Sequence, residues 1–234
     1  MNPSIVQLRG TVFMPVSIGY NEENEHKFRD LLPGGQVQPI MQMSQETIIR
    51  SGMRLGEPWQ IVKNGRSISF NYMRVDIEEI RTDNQIATEL DFVKYCIETF
   101  SKLLKDVGYF SRVAYSPTFA MDEDDIFKCK NWWKTVFVNT NGTGYAMQDI
   151  NLSYFLTKDI QLGDKKLTIN MHHKIFDGYK YDDKQVKVND SIIIILDLNT
   201  AEIENVKLRD CDIASFFKKA LEEKRELMNI YFGV

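Results

Sequence analysis

Two adjacent histidines, His172 and His173, are the clearest acid–base signal in this chain, and their spacing already limits what they can do. They fall inside a stretch, Lys166–Phe176, whose composition predicts a β-strand. Neighbours on a strand point to opposite faces, so the pair converges on one site only if the strand bulges there. The third histidine, His26, lies in a polar N-terminal segment. A three-histidine zinc site would need all of them, and none of the usual metal-site spacings is present. No metal and no cofactor is expected.

The other chemically suggestive clusters read in the same way. Asp122-Glu123-Asp124-Asp125 is the densest acidic run, but it lacks the glycine turn and downstream glutamate of a calcium loop, and suits the start of a helix better. Asn141-Gly142-Thr143-Gly144 has glycines without the lysine of a phosphate loop or the third glycine of a dinucleotide fingerprint. No serine sits in a nucleophile elbow. The three cysteines, Cys96, Cys129 and Cys211, are far apart and form neither a zinc pattern nor a disulfide framework. Trp132-Trp133, flanked by Lys130 and Lys134, is the aromatic cluster with most to offer. Basic and aromatic side chains interleaved in this way can stack single-stranded bases or anchor a protein partner; core packing or a dimer contact is the plainer role.

The elements that must carry these residues follow from periodicity. Residues 5–16 read as a strand ending near Pro15, and 21–32 as a short helical segment packing Phe28, Leu31 and Leu32. Gln36–Met43 is a further strand. Trp59–Val62 and Ser67–Phe70 flank Asn64-Gly65, the dipeptide of a type I′ hairpin turn. Arg74–Ile80 continues the meander. From Thr88 to Val107 the period becomes helical, with Leu90, Val93, Ile97, Phe100, Leu104 and Val107 on one stripe and Gly108 as the stop. Tyr109–Met121 returns to strand, with Pro117 suggesting an edge or a bulge. Strands near 148–160 and 166–176 meet at Gly163-Asp164, and a polar loop is expected over 177–189. The run Ser191–Asn199, with four consecutive isoleucines, predicts a strand buried on both faces. A helix over 212–231 buries Ile213, Phe216, Phe217 and Ala220, and its end at Met228, Tyr231 and Phe232 offers a dimer contact.

Strand runs each closed by a long amphipathic helix, at 88–107 and 212–231, predict an α+β fold with a largely antiparallel sheet. One compact domain over 1–234 is expected, with two pseudo-repeated halves, 1–108 and 109–234, as a subdivision. A net charge of −4, from 29 basic and 33 acidic residues well mixed along the chain, gives no electrostatic footprint for duplex nucleic acid. No apolar run approaches the length of a membrane span, and the N-terminus lacks a signal-peptide pattern. A cytoplasmic protein is expected.

Glu57-Pro58-Trp59-Gln60-Ile61-Val62, Asn64-Gly65 and Arg74-Val75-Asp76-Ile77, followed by a long helix, Ser111–Tyr115, Ile195-Leu196-Asp197 and an aromatic-rich helix, resemble a sporadically distributed family of uncharacterised bacterial α+β proteins. The resemblance implies no established activity, no defined ligand, and a scattered occurrence that suggests mobile or defence-associated genes, with bacterial or phage defence as the setting. It transfers no site residue. The leading expectation is a non-enzymatic interaction protein acting on a protein partner or as a homodimer. The alternatives are a small-ligand binder or hydrolase with a cavity between sheet and helix, and a single-stranded nucleic-acid binder.

Overall fold

The structure, a computed structural model, describes residues 4–40, 55–81, 88–122, 151–181, 187–201 and 206–232. Its strands are β1 (Ser4–Phe13), β2 (Gln36–Pro39), β3 (Trp59–Lys63), β4 (Arg66–Asn71), β5 (Arg74–Ile80), β6 (Arg112–Asp122), β7 (Asn151–Leu162), β8 (Lys165–Tyr181) and β9 (Lys187–Thr200). Its helices are α1 (Glu22–Phe28), α2 (Glu89–Val107) and α3 (Asp210–Phe232). The nine strands form one antiparallel sheet in the order β2-β3-β4-β5-β1-β6-β9-β8-β7. The fold is α+β.

The order repeats a theme. In the first half β1 leads out, a meander returns through β3 and β4, and β5 pairs with β1 before α2 follows. In the second half β6 leads out, β7 and β8 return, and β9 pairs with β6 before α3 follows. The seam is the antiparallel pair β1–β6.

The three α-helices among the described residues lie on one face of the sheet. Alternation along the strands supplies the apolar residues beneath them: Leu8 and Val12 on β1, Tyr115 and Phe119 on β6, and Ile192, Ile194, Leu196 and Leu198 on β9 are all buried. At Gly10 the layers touch directly. A Cβ there would stand 2.8 Å from Cys96 Sγ of α2 and 3.3 Å from the Phe217 ring of α3, so only glycine lets both helices approach this closely. Phe28, the last residue of α1, stacks on Phe70, which stacks on Trp59. At the joint between the halves, Glu89 accepts a 2.5 Å hydrogen bond from the Tyr115 hydroxyl and another of 2.5 Å from Lys224 Nζ.

Local signals behaved largely as their chemistry requires. Asn64 and Gly65 take φ of 49° and 77° in the β3–β4 turn, the positive values of a type I′ hairpin. Thr88 caps α2 in a reciprocal capping box with Asp91, and Gly108 ends the helix with φ 82°.

Several expectations are corrected. Leu90 is exposed, and Phe92 takes the buried place at the head of the α2 stripe: an arc of three- and four-residue steps starting at 92 faces the sheet. The edge expected at Pro117 is corrected, because β6 lies between β1 and β9; the irregularity expected as its alternative falls beside it, at the register shift between Ile5 and Gln7 of β1. The region 177–189 is not one loop, since β8 runs to Tyr181 and β9 starts at Lys187. Met228, expected in a dimer contact, is part of the core. Of the four isoleucines, Ile192 and Ile194 are buried while Ile193 and Ile195 are only half-buried, because no described element covers that side of the sheet. No helix among the described residues is long and apolar enough to cross a membrane.

Candidate functional site

The strand alternation that buries one face leaves the other to do chemistry, and β8 divides its two histidines accordingly. His173 points into the helix-covered layer, is buried, and stacks on Tyr154 of β7 with ring centroids 4.7 Å apart. Burial, with a smaller contribution from His172, pushes its imidazole pKa down to about 4, so it is neutral at neutral pH. His172 points to the opposite face, uncovered among the described residues. The two do not converge.

Around His172 the sheet register brings together groups far apart in sequence. Phe155 of β7 lies directly opposite and stacks on the imidazole at 3.9 Å, with the ring planes 16° apart. His172 Nε2 is 2.8 Å from Ser153 Oγ. On the other side its register partner is Asp197 of β9. Partial burial first, then the nearby Lys174 ammonium, lowers the His172 pKa against the opposing pull of Asp197.

Asp197 is held by the neighbouring strand. Ser116 Oγ donates to Asp197 Oδ1 at 2.8 Å. The β6–β9 ladder pairs Tyr115 with Leu198 and Thr118 with Ile195, and skips the two residues between. Pro117 is one of them; it has no N–H to offer β9, while it pairs with Leu8 on the β1 side. The interrupted ladder opens a depression of about 220 Å3 lined by Gln7, Arg9, Ser116, Thr118, His172, Lys174, Ile195 and Asp197. Arg9 is tied to Glu78 of β5 at 2.5 Å. Among the described residues no carboxylate pairs with Lys174.

Beyond the depression the same face turns apolar. Ile193, Ile195 and Phe176 are half-buried, and Phe155 is 69% exposed. Towards the first half it turns polar and self-satisfied. Thr11 Oγ1 donates to Asp76 at 2.6 Å, and Arg74 donates to the same carboxylate at 2.7 Å. Arg112 sits over the Phe13 ring at 4.8 Å and donates to Asn199 Oδ1 at 3.0 Å. The unmatched chemistry therefore lies over β6, β9, β8 and β7.

Ser153, His172 and Asp197 occupy three successive strands on one face, and nucleophilic catalysis has to be considered. It needs an imidazole oriented by its carboxylate and donors for an oxyanion. Asp197 receives Ser116 and, at 3.4 Å, Asn199, and no hydrogen bond joins it to His172 among the described residues. The same surface carries recognition chemistry: an aromatic platform, aliphatic side chains, an ammonium with no carboxylate partner among the described residues and several hydrogen-bonding groups. Among the described residues no three His, Cys, Asp or Glu side chains gather as metal ligands.

Trp132, Trp133, Lys130 and Lys134 lie outside the described residues. Sequence reasoning singled out His172 but missed Ser153, Asp197, Arg9 and Lys174. Asp197 was legible in principle, since two-residue steps from Ile193 and Ile195 reach it; the others depend on cross-strand register. Compared with protein-family models, curated proteins and solved structures, the chain matches none.

Proposed function

We propose that this chain is a binding protein that receives a protein partner on the uncovered face of its sheet, over β6, β9, β8 and β7. One observation carries the reading: Ile193, Ile195 and the 69% exposed Phe155 border a depression equipped with His172, Lys174 and Asp197. An apolar patch rimmed by polar groups is the anatomy of an interaction surface. The depression, at about 220 Å3, is smaller than cavities that enclose small ligands, which run from roughly 300 Å3 upward. It suits one side chain of a partner better than a whole metabolite.

The test is fluorescence anisotropy with a panel of labelled peptides that alternate aliphatic with acidic or amide residues. Ile195→Lys is expected to weaken the binding of the best peptide about tenfold or more, the equivalent of 1.4 kcal/mol. Leu90→Lys, on the opposite layer, leaves it unchanged. Equal affinity for both variants, or no binding by any peptide, overturns the reading.

A second reading has the 2.8 Å Ser153–His172 contact in its favour, namely a hydrolase in which His172 activates Ser153. It requires ester hydrolysis that disappears in Ser153→Ala; hydrolysis unchanged in that variant removes it.

A further inference from the structure

We propose that the outer edge of β7 is a homodimer surface on which a second copy of this chain adds its own β7 antiparallel, joining the two sheets into one. The inference does not rest on the peptide-binding reading above. It starts from the two edges of the sheet. β2 has four residues and ends in Pro39, so it offers little to a further strand. β7 has twelve residues and no proline, and among the described residues it pairs only with β8. Its unpaired backbone N–H and C=O groups therefore form a template about 40 Å long.

Exposed edges are ordinarily guarded by charged side chains. The two charges of β7 are committed elsewhere. Lys158 is bound by Glu223 at 2.8 Å and Glu226 at 3.5 Å, both on α3. Asp159 is held on the other face by Lys166 and by Thr168 of β8, each at 2.8 Å. Apolar side chains stand where guards would be expected. Phe155 is 69% exposed on the uncovered face and Leu156 is 42% exposed on the helix side, so the middle of the edge is apolar above and below the sheet.

The occupant follows from self-complementarity. Two antiparallel copies of one strand are related by a dyad perpendicular to the sheet, so each residue meets a residue of the same face. With Leu156 on the dyad, Leu156 meets itself, Phe155 meets Thr157, Tyr154 meets Lys158, Ser153 meets Asp159 and Leu152 meets Ile160. Every rung is apolar, hydrogen-bonding or cation–aromatic, and no like charges oppose. A dyad at Lys158 would instead set two ammonium groups face to face. The chain already joins its own halves in this manner, through the antiparallel β1–β6 seam. Because the dyad preserves faces, the two uncovered faces become continuous. The His172 columns of the two copies then stand three strand spacings, about 14 Å, apart.

Sedimentation velocity and light scattering on the whole chain test this. The wild type is expected to run as a dimer, at twice 27.3 kDa. Phe155→Lys with Leu156→Lys is expected to run as a monomer with its far-ultraviolet circular dichroism retained. Independently, Leu156→Cys in a Cys129→Ser, Cys211→Ser background is expected to form an intermolecular disulfide under mild oxidation, because a residue on the dyad faces its own copy at cross-strand distance. Lys218→Cys, exposed on α3, serves as the background control. A monomeric wild type, a folded double-lysine variant that stays dimeric, or Leu156→Cys cross-linking no better than the control overturns the proposal. If the double variant fails to fold, the cross-link decides.

Discussion

Acidification makes a direct test of the buried histidine layer. The His173 imidazole is pushed from an ordinary 6.5 down to about 4 in the folded chain. As pH falls through 6.5, the unfolded chain takes up a proton that the folded chain refuses, so the unfolded state is favoured progressively. The contribution is fully present above pH 6.5, declines between 6.5 and about 4, and is exhausted below that, where both states are protonated. At 1.36 kcal/mol per unit, the window is worth about 3 kcal/mol. His173→Phe removes the titration while keeping a ring against Tyr154. Urea unfolding, followed through the fluorescence of buried Trp59 and its companions, should be run on both proteins across the window. Carboxylates titrate in both chains and cancel in the difference, as does any fixed cost of the substitution. The variant is expected to gain on the wild type by about 1–3 kcal/mol from the top of the window to the bottom. A difference that stays flat with pH would refute the argument that burial holds this imidazole neutral.

Three further outcomes follow from packing and caps. Gly10→Ala drives a methyl group against Cys96 Sγ and is expected to cost about 1–3 kcal/mol, part of which Cys96→Ala restores; strictly additive unfolding energies in that double-mutant cycle would disprove the contact. Thr88→Ala removes the hydroxyl that accepts from the Asp91 N–H and donates to the Asp91 carboxylate in the α2 capping box and should lower stability by about 0.5–2 kcal/mol in thermal or urea unfolding. The Lys158–Glu223 pair is asymmetric, with side chains 45% and 5% exposed. Glu223→Gln leaves an ammonium that water can reach and costs under about 1 kcal/mol, whereas Lys158→Met strands a buried carboxylate and costs up to about 3 kcal/mol; equal effects in urea unfolding would contradict this ordering.

Much of the fold was legible because its signals are local. The Asn64-Gly65 turn, the ends of α2 and the isoleucine strand each depend on residues within one element. What escaped depends on neighbours in space. The polar stretch 177–189 looks like a loop in sequence, yet its backbone pairs across the β8–β9 ladder, Gly178 with Ser191 and Lys180 with Asn189 among the rungs. Pro117 looks like an edge residue because its missing donor is tolerable there, yet here the gap falls between two interior strands and Ser116 bridges it with a side chain. The candidate site was half visible for the same reason. The opposed facing of His172 and His173 follows from alternation alone, while the meeting of Ser153, His172, Asp197 and Arg9 requires the order of five strands.

The alternation has a consequence for how this protein can change. Along β8 and β9, stability and contact chemistry occupy interleaved positions: His173, Ile175, Ile192, Ile194 and Leu196 fill the core, while His172, Lys174, Ile193, Ile195 and Asp197 meet whatever lies outside. Selection can therefore rewrite one set without touching the other, as though two texts shared alternate letters of a single line. A saturation screen read out by abundance should show tolerance oscillating with a period of two along both strands, and one read out by binding should show the same oscillation shifted by one residue.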